Sequence, residues 1–168
     1  RGSVIPLFKK INSFKKKLPL THKEMTRYNI SLNGAIELVK IALKHKTKSA
    51  IFVPKLKSFY IKDLVEAISG KKNNFKIIGI RPGEKIHEIM CSTDDAPYVF
   101  KFKDYYLITP SSQFYRSKKD YKKNKLNEVG EDVELDFEYN SGTNQKFLTI
   151  NEIKKMNLSN KINTFSEN

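Results

Sequence analysis

The short apolar run Ile77-Ile78-Gly79-Ile80 stops abruptly at Arg81-Pro82-Gly83-Glu84-Lys85, and Ile86-His87-Glu88-Ile89-Met90 resumes with helix-like spacing. This pattern predicts strand, tight turn and helix in succession. Pro82 fixes its own φ and biases Arg81 toward an extended conformation, while Gly83 permits a left-handed geometry that a Cβ disfavours. Arg81 and Glu84 are therefore held in set directions. A guanidinium with five donors beside a carboxylate that only accepts matches a ligand carrying both phosphate oxygens and hydroxyls, as a nucleotide diphosphate with its ribose does. An Arg/Glu pair bridging a surface turn is the plainer alternative.

Strand and helix signals alternate around this stretch. Ser3 can cap a helix with Pro6 in its first turn and Leu7, Phe8, Ile11 and Phe14 at helical spacing. Leu18 to Thr21 reads as extended, and Glu24 to Ile30 as a short strand or link. Ser31 opens a helix lined by Leu32, Ala35, Ile36, Val39, Ala42 and Leu43. Ala50 to Val53 reads as a strand stopped by Pro54. Ile61 to Ile68 reads as a helix closed by Ser69-Gly70, with Ser58 a possible cap. Phe75 to Ile80 and Tyr98 to Ile108 read as strands, and Thr149 with Glu152 forms a capping box for a last short helix. The fold class expected is α/β, as a mixed α+β lobe over residues 1–112. A Lys-rich, exposed and mobile connection over 113–130, a strand/helix extension over 131–157 and a frayed tail over 158–168 complete the division.

The formal net charge of +14 invites a nucleic-acid or membrane partner, but only four of the 32 basic residues are arginine. Bidentate and stacking recognition of nucleic acid leans on Arg, so a general lysine bias explains the charge better, and neither nucleic acid nor membrane is expected as the partner. Cys91 is the single cysteine, which excludes an internal disulfide, and His22, His45 and His87 lack metal-ligand spacing. No metal site is expected. No apolar run is long enough to span a bilayer and no signal peptide is visible, so a cytoplasmic protein is expected. The chain opens on Arg1, not a translational start, so a preceding portion is expected. Nor does a glycine-rich G-x-G-x-x-G turn follow any strand, so no dinucleotide cradle is visible.

Five blocks carry a resemblance when taken in order: Arg1-Gly2-Ser3-Val4-Ile5-Pro6-Leu7-Phe8, Glu24-Met25-Thr26-Arg27, Ile51-Phe52-Val53-Pro54-Lys55, Gly79 to Met90, and Phe137-Glu138-Tyr139-Asn140-Ser141-Gly142-Thr143-Asn144. They resemble the C-terminal substrate domain of the extended short-chain dehydrogenase/reductases that act on UDP-sugars. The likeness is greatest to the inverting UDP-N-acetylglucosamine 4,6-dehydratases of pseudaminic acid biosynthesis, and it runs from Arg1 to about Met156.

The resemblance implies a lyase in nucleotide-sugar and surface-polysaccharide biosynthesis. Its chemistry would be oxidation at C4 of the sugar by NADP, loss of water across C5 and C6, return of hydride to C6, and inversion at C5. It also implies that NADP belongs to a Rossmann half outside this chain, that this part alone is inactive and binds no cofactor, and that the complete enzyme is a homo-oligomer. The family's Tyr-x-x-x-Lys pair has no counterpart here, because Tyr115/Lys119 and Tyr121/Lys125 share the spacing but lie far downstream of where it belongs. No catalytic residue is assigned.

As the resemblance implies, Arg27 and Arg81 hold the diphosphate or ribose, and Glu84 accepts from the ribose hydroxyls. Leu18-Pro19-Leu20 borders the uracil, and Ser3, with Arg1 beside it, lies near phosphate at a helix N-terminus. In a lysine-biased chain, three of the four arginines fall inside these blocks, where a planar fork is useful. Departures from the family pattern are His22-Lys23 after Thr21, Asn29 where an aromatic is common, and Lys62 in place of a helix-starting hydroxyl residue. Two other outcomes stay open: a UDP-sugar 4-epimerase or retaining dehydratase with the same grip, and a non-catalytic basic module that binds polyanions.

Overall fold

The computed structural model describes residues 4–45, 49–111, 118–125 and 127–159. In chain order these form α1 (Val4–Ser13), β1 (Leu18–Leu20), β2 (Thr26–Asn29), α2 (Leu32–His45), β3 (Ile51–Pro54), β4 (Lys57–Tyr60), α3 (Ile61–Ser69), β5 (Phe75–Ile77) and β6 (Ile89–Cys91). A 3-10 helix (Thr93–Tyr98), β7 (Val99–Lys101), β8 (Tyr105–Ile108), a second 3-10 helix (Lys118–Tyr121), β9 (Glu131–Asp132), β10 (Tyr139–Asn140) and α4 (Ile150–Ser159) follow. The class is mixed α/β, as expected. The chain divides into two compact units, each drawn from non-contiguous segments.

The first unit takes Arg1–Tyr28, Lys57–Glu88 and Asn144–Asn168. Leu18 and Leu20 of β1 pair in parallel with Phe75 and Ile77 of β5, and β2 lies beside β4. Leu18, Leu20, Leu64, Val65 and Ile153 are fully buried in one cluster that α1, α3 and α4 cover. Truncating one such leucine to alanine costs about 2–5 kcal/mol. Helix α3 ends as its sequence predicts: Gly70 takes a left-handed φ of 67° and donates to the Glu66 carbonyl at 2.9 Å. Its start is not capped by Ser58, because the N-cap is Tyr60, which makes no side-chain capping bond. Ser58 lies buried in β4 and accepts from Asn144 Nδ2 at 2.9 Å. Lys62, which departs from the family's helix-starting hydroxyl residue, sits over the Tyr60 ring and pairs with Glu24 at 3.5 Å.

The second unit takes Asn29–Leu56 and Ile89–Thr143. Its antiparallel sheet runs β3-β8-β7-β9, so Tyr98 to Ile108 is a hairpin preceded by a 3-10 helix rather than a single strand. Leu38 and Ile41 of α2 cover Phe100, Tyr105 and Leu107. The segment expected as an exposed connection holds Tyr121, only 1% exposed and part of this core, and Asn124, whose Nδ2 donates to the Tyr105 hydroxyl at 3.3 Å. A Lys-rich, aperiodic composition hides such positions, because a short segment can contribute one large aromatic to a core without any period. Residues 113–117 lie outside the described residues, as do those of the tail beyond Ser159.

Among the described residues no helix is long and apolar enough to cross a membrane, and no group of three His, Cys, Asp or Glu side chains could hold a metal ion. Cys91 ends β6 opposite Tyr139, fully buried, and burial pushes its thiol up to about 12. It is an inert core residue.

Candidate functional site

The Arg81 turn forms, but the helix after it does not. β5 stops at Ile77, Gly79 takes φ 82°, and Gly83 takes φ 78°. Residues 84–88 then run irregularly into β6 instead of a helix. The cause is the competition for backbone carbonyls. Thr26 N donates to the Ile86 carbonyl at 3.0 Å, and the Arg27 guanidinium donates to the carbonyls of Ile86 at 3.1 Å and Lys85 at 2.9 Å. A helix starting here would need those acceptors for its own ladder.

Two short networks organise the turn. In the first, Glu84 N donates to the Arg81 carbonyl at 3.0 Å, Glu84 Oε2 accepts from Arg81 N at 3.2 Å, and Glu84 Oε1 lies 3.4 Å from the Thr21 hydroxyl that donates to it. This leaves the Arg81 side chain exposed, and among the described residues no carboxylate pairs with it. In the second, Arg27 Nε lies 3.3 Å from Glu88 Oε1, and Arg27 Nη1 also donates to the Thr26 carbonyl at 2.6 Å. Thr26 Oγ1 and His87 Nδ1 lie 2.8 Å apart, with the donor set by the ring tautomer. His87 is thus tied to the buried Thr26 and does not sit on a helix.

The residues picked out from the sequence separate into three groups. Arg27, Arg81 and Glu84 share the first unit and one hydrogen-bonded segment. Arg81 is the open cation and Glu84 the half-buried acceptor, while Arg27 is mostly engaged with backbone and Glu88, keeping one Nη2 hydrogen. Leu20 is 1% exposed, so its side chain belongs to the core; Pro19 and Thr21 on either side are half-buried. Arg1 and Ser3 lie outside the described residues. Sequence reasoning missed Thr21 and Glu88. Each meets its partner across about sixty positions, a separation that no local pattern encodes.

The remaining blocks have structural work. Tyr139 Oη donates to the Leu56 carbonyl at 3.1 Å and accepts from Leu56 N at 2.7 Å, with the Tyr106 ring 4.9 Å away. Lys55 donates to the carbonyls of Phe102 and Lys103, and burial, with Lys101 nearby, lowers its pKa.

Residues 1–110 match the model of a family described as "Polysaccharide biosynthesis protein". The chain belongs to that family. It is an extended short-chain dehydrogenase/reductase type, and the relatives agree. A UDP-N-acetylglucosamine 4,6-dehydratase (inverting) of Campylobacter jejuni subsp. jejuni serotype O:2 is 41% identical over 154 residues, 91% of this chain and 46% of that protein. A UDP-glucose 4-epimerase of Rickettsia canadensis is 41% identical over 113 residues, 64% of this chain and 33% of that one. The crystal structure of Pen from Bacillus thuringiensis superposes with a TM-score of 0.71 at 26% identity, covering 96% of this chain and 47% of its own. The chain therefore spans about half the length of the curated dehydratase it matches.

Proposed function

We propose that this chain is the UDP-sugar-binding, C-terminal part of an inverting UDP-N-acetylglucosamine 4,6-dehydratase. The observation that carries this reading is the anchored turn, which leaves Arg81 as an exposed guanidinium with no carboxylate partner among the described residues, beside a Glu84 already oriented by Arg81 N and Thr21. Arg81 clasps the diphosphate bidentately. Glu84 accepts from the ribose hydroxyls, and Arg27 adds its remaining Nη2 hydrogen while holding the return limb of the turn. Pro19 and Thr21 border the uracil, with Ser3 and Arg1 near phosphate.

The sequence holds no G-x-G-x-x-G run of the kind that cradles a dinucleotide. NADP is accordingly assigned to a Rossmann half outside the chain, which by itself does not catalyse. The second unit supports such a partner. On α2, Leu32, Ile36, Val39 and Leu43 recur on one face and are 43–73% exposed, opposite the face that packs on the sheet. β3 is an outer strand of that sheet, with Ile51 61% exposed. An apolar helix stripe beside an open strand edge is the kind of surface that a further domain of the same polypeptide covers. The complete enzyme is read as a cytoplasmic homo-oligomer.

Calorimetric titration of this chain with UDP should show binding that Arg81→Ala weakens by about tenfold or more, and incubation with UDP-N-acetylglucosamine should give no product. The complete polypeptide with NADP should form a 4-keto-6-deoxy sugar inverted at C5. Absence of UDP binding by the chain would sink the reading. The epimerases among the relatives support a second one, and a C4-epimerised product from the complete polypeptide would establish it.

A further inference from the structure

We propose that the end of the first unit where α1 and α3 finish is a docking surface for anionic phospholipid. This inference is independent of the UDP-sugar reading. It rests on how the fold joins two lysine-rich segments that are distant in sequence. Asn12 Nδ2 donates to the Ile68 carbonyl at 3.3 Å, and Leu18 N donates to the Asn74 carbonyl at 3.0 Å. These bonds bring Lys15-Lys16-Lys17, which follows α1, alongside Lys71 and Lys76, which follow α3. Lys10 projects from the outward face of α1, and all six lysines are exposed. Among the described residues none of the six is ion-paired. Lys72 differs, because it lines a groove of about 530 Å³ with Asp63 and Glu66 and belongs to that mixed-charge surface.

A structural role for these lysines is neutralisation of the two helix C-termini that meet there. Two helix ends together carry about one elementary negative charge. Six ammonium groups leave most of their charge uncompensated, so the patch seeks an anionic partner.

The apolar side chains identify the partner. Leu7, Lys10 and Phe14 recur at spacings that place them on one face of α1. Phe14 is 65% exposed and Leu7 47%. Phe14 is not on a fraying end. Phe14 N donates to the Ile11 carbonyl at 3.1 Å, Lys15 N donates to the Asn12 carbonyl at 2.9 Å, and Lys15 takes a left-handed φ of 56° that closes the helix. An exposed aromatic and an exposed aliphatic side chain on the helix face that carries Lys10, next to Lys15-Lys16-Lys17, suit a headgroup boundary, where the ammoniums meet phosphates and the apolar groups enter the acyl margin. A nucleic-acid surface would use arginine forks and paired stacking platforms, and this patch has neither.

The test is co-sedimentation of this chain with vesicles of phosphatidylcholine alone and of phosphatidylcholine mixed with phosphatidylglycerol. Binding should require phosphatidylglycerol and weaken with salt. Changing Lys15, Lys16 and Lys17 together to Gln should reduce partitioning about a hundredfold, at about fivefold per lysine. Phe14→Ser, which leaves the charge unchanged, should reduce it about tenfold. If the triple variant melts early, Phe14→Ser still decides, since it alters one exposed side chain. No sedimentation with anionic vesicles overturns the proposal. So does sedimentation that Phe14→Ser leaves unchanged while polyuridylate binds equally well, which would make the patch a general polyanion surface.

Discussion

Arg27 and Glu88 face each other with Nε and Oε1 3.3 Å apart, and Nη1 and Nη2 of the same guanidinium donate to the carbonyls of Ile86 and Lys85. One side chain thereby fixes the limb through which the Arg81 turn returns. Positioning of this kind explains why an arginine stands at residue 27 of a chain that otherwise uses lysine: a planar fork reaches two carbonyls and a carboxylate at once, and an ammonium does not.

Arg27→Lys should therefore loosen the limb without removing charge. A loss of about 1–2 kcal/mol in chemical denaturation is expected, together with weaker UDP binding. Glu88→Gln keeps the carbonyl contacts and should lower stability less. If Arg27→Lys weakened UDP binding with no change in unfolding midpoint, Arg27 would act by direct contact alone.

Arg81→Ala has the opposite signature. The side chain is exposed and among the described residues no carboxylate pairs with it, so unfolding should be nearly unchanged while UDP affinity falls by about tenfold or more. Calorimetry and a thermal melt on the same preparation separate the two effects.

Much of this architecture is legible along the chain, and the parts that are not have identifiable causes. The ends of α3 and α4 follow local rules: Gly70 closes one, and Thr149 and Glu152 form the capping box that opens the other. The Arg81 turn is local as well, since Pro82 and Gly83 act on their own backbone. The helix expected after it fails because its carbonyls are claimed by residues sixty positions away. Leu20 turns inward for a related reason. A three-residue strand puts alternate side chains on opposite sides, and the pairing of β1 with β5 decides which side faces the core. The inward position of Tyr121 likewise depends on contacts with distant segments, which no periodicity records.

Gly130 offers a packing test with no link to ligand binding. A Cβ built there would lie 2.8 Å from Cε2 and Cζ of Phe102 and 3.0 Å from the Phe100 Cβ. Both phenylalanines are core residues of the second unit, so neither ring can swing into solvent. Gly130→Ala should destabilise by about 1–3 kcal/mol through overpacking, read from the denaturation midpoint. Gly83→Ala makes a useful contrast, because nothing lies within 4 Å of its added Cβ and its cost comes only from φ 78°.

The pH dependence of α4 follows from Glu152. Its carboxylate accepts from Lys57 Nζ at 2.6 Å and from Thr149 N at 2.8 Å, and the Lys57 bond followed by the Thr149 bonds lowers its pKa from 4.5 to about 2. A carboxyl with a depressed folded-state pKa binds its proton more readily in the unfolded chain. Its stabilisation is therefore complete above about pH 4.5 and is lost as pH falls toward 2. Because the group lies on the surface, salt should weaken its bond to Lys57 more than its capping bonds to Thr149. Glu152→Gln keeps a capping acceptor but removes the charge. Comparing the unfolding midpoints of wild type and Glu152→Gln from pH 6 to pH 2 should show a difference that shrinks across this window. A difference that stayed constant through it would mean that Glu152 supports α4 by geometry alone, with no contribution from its charge.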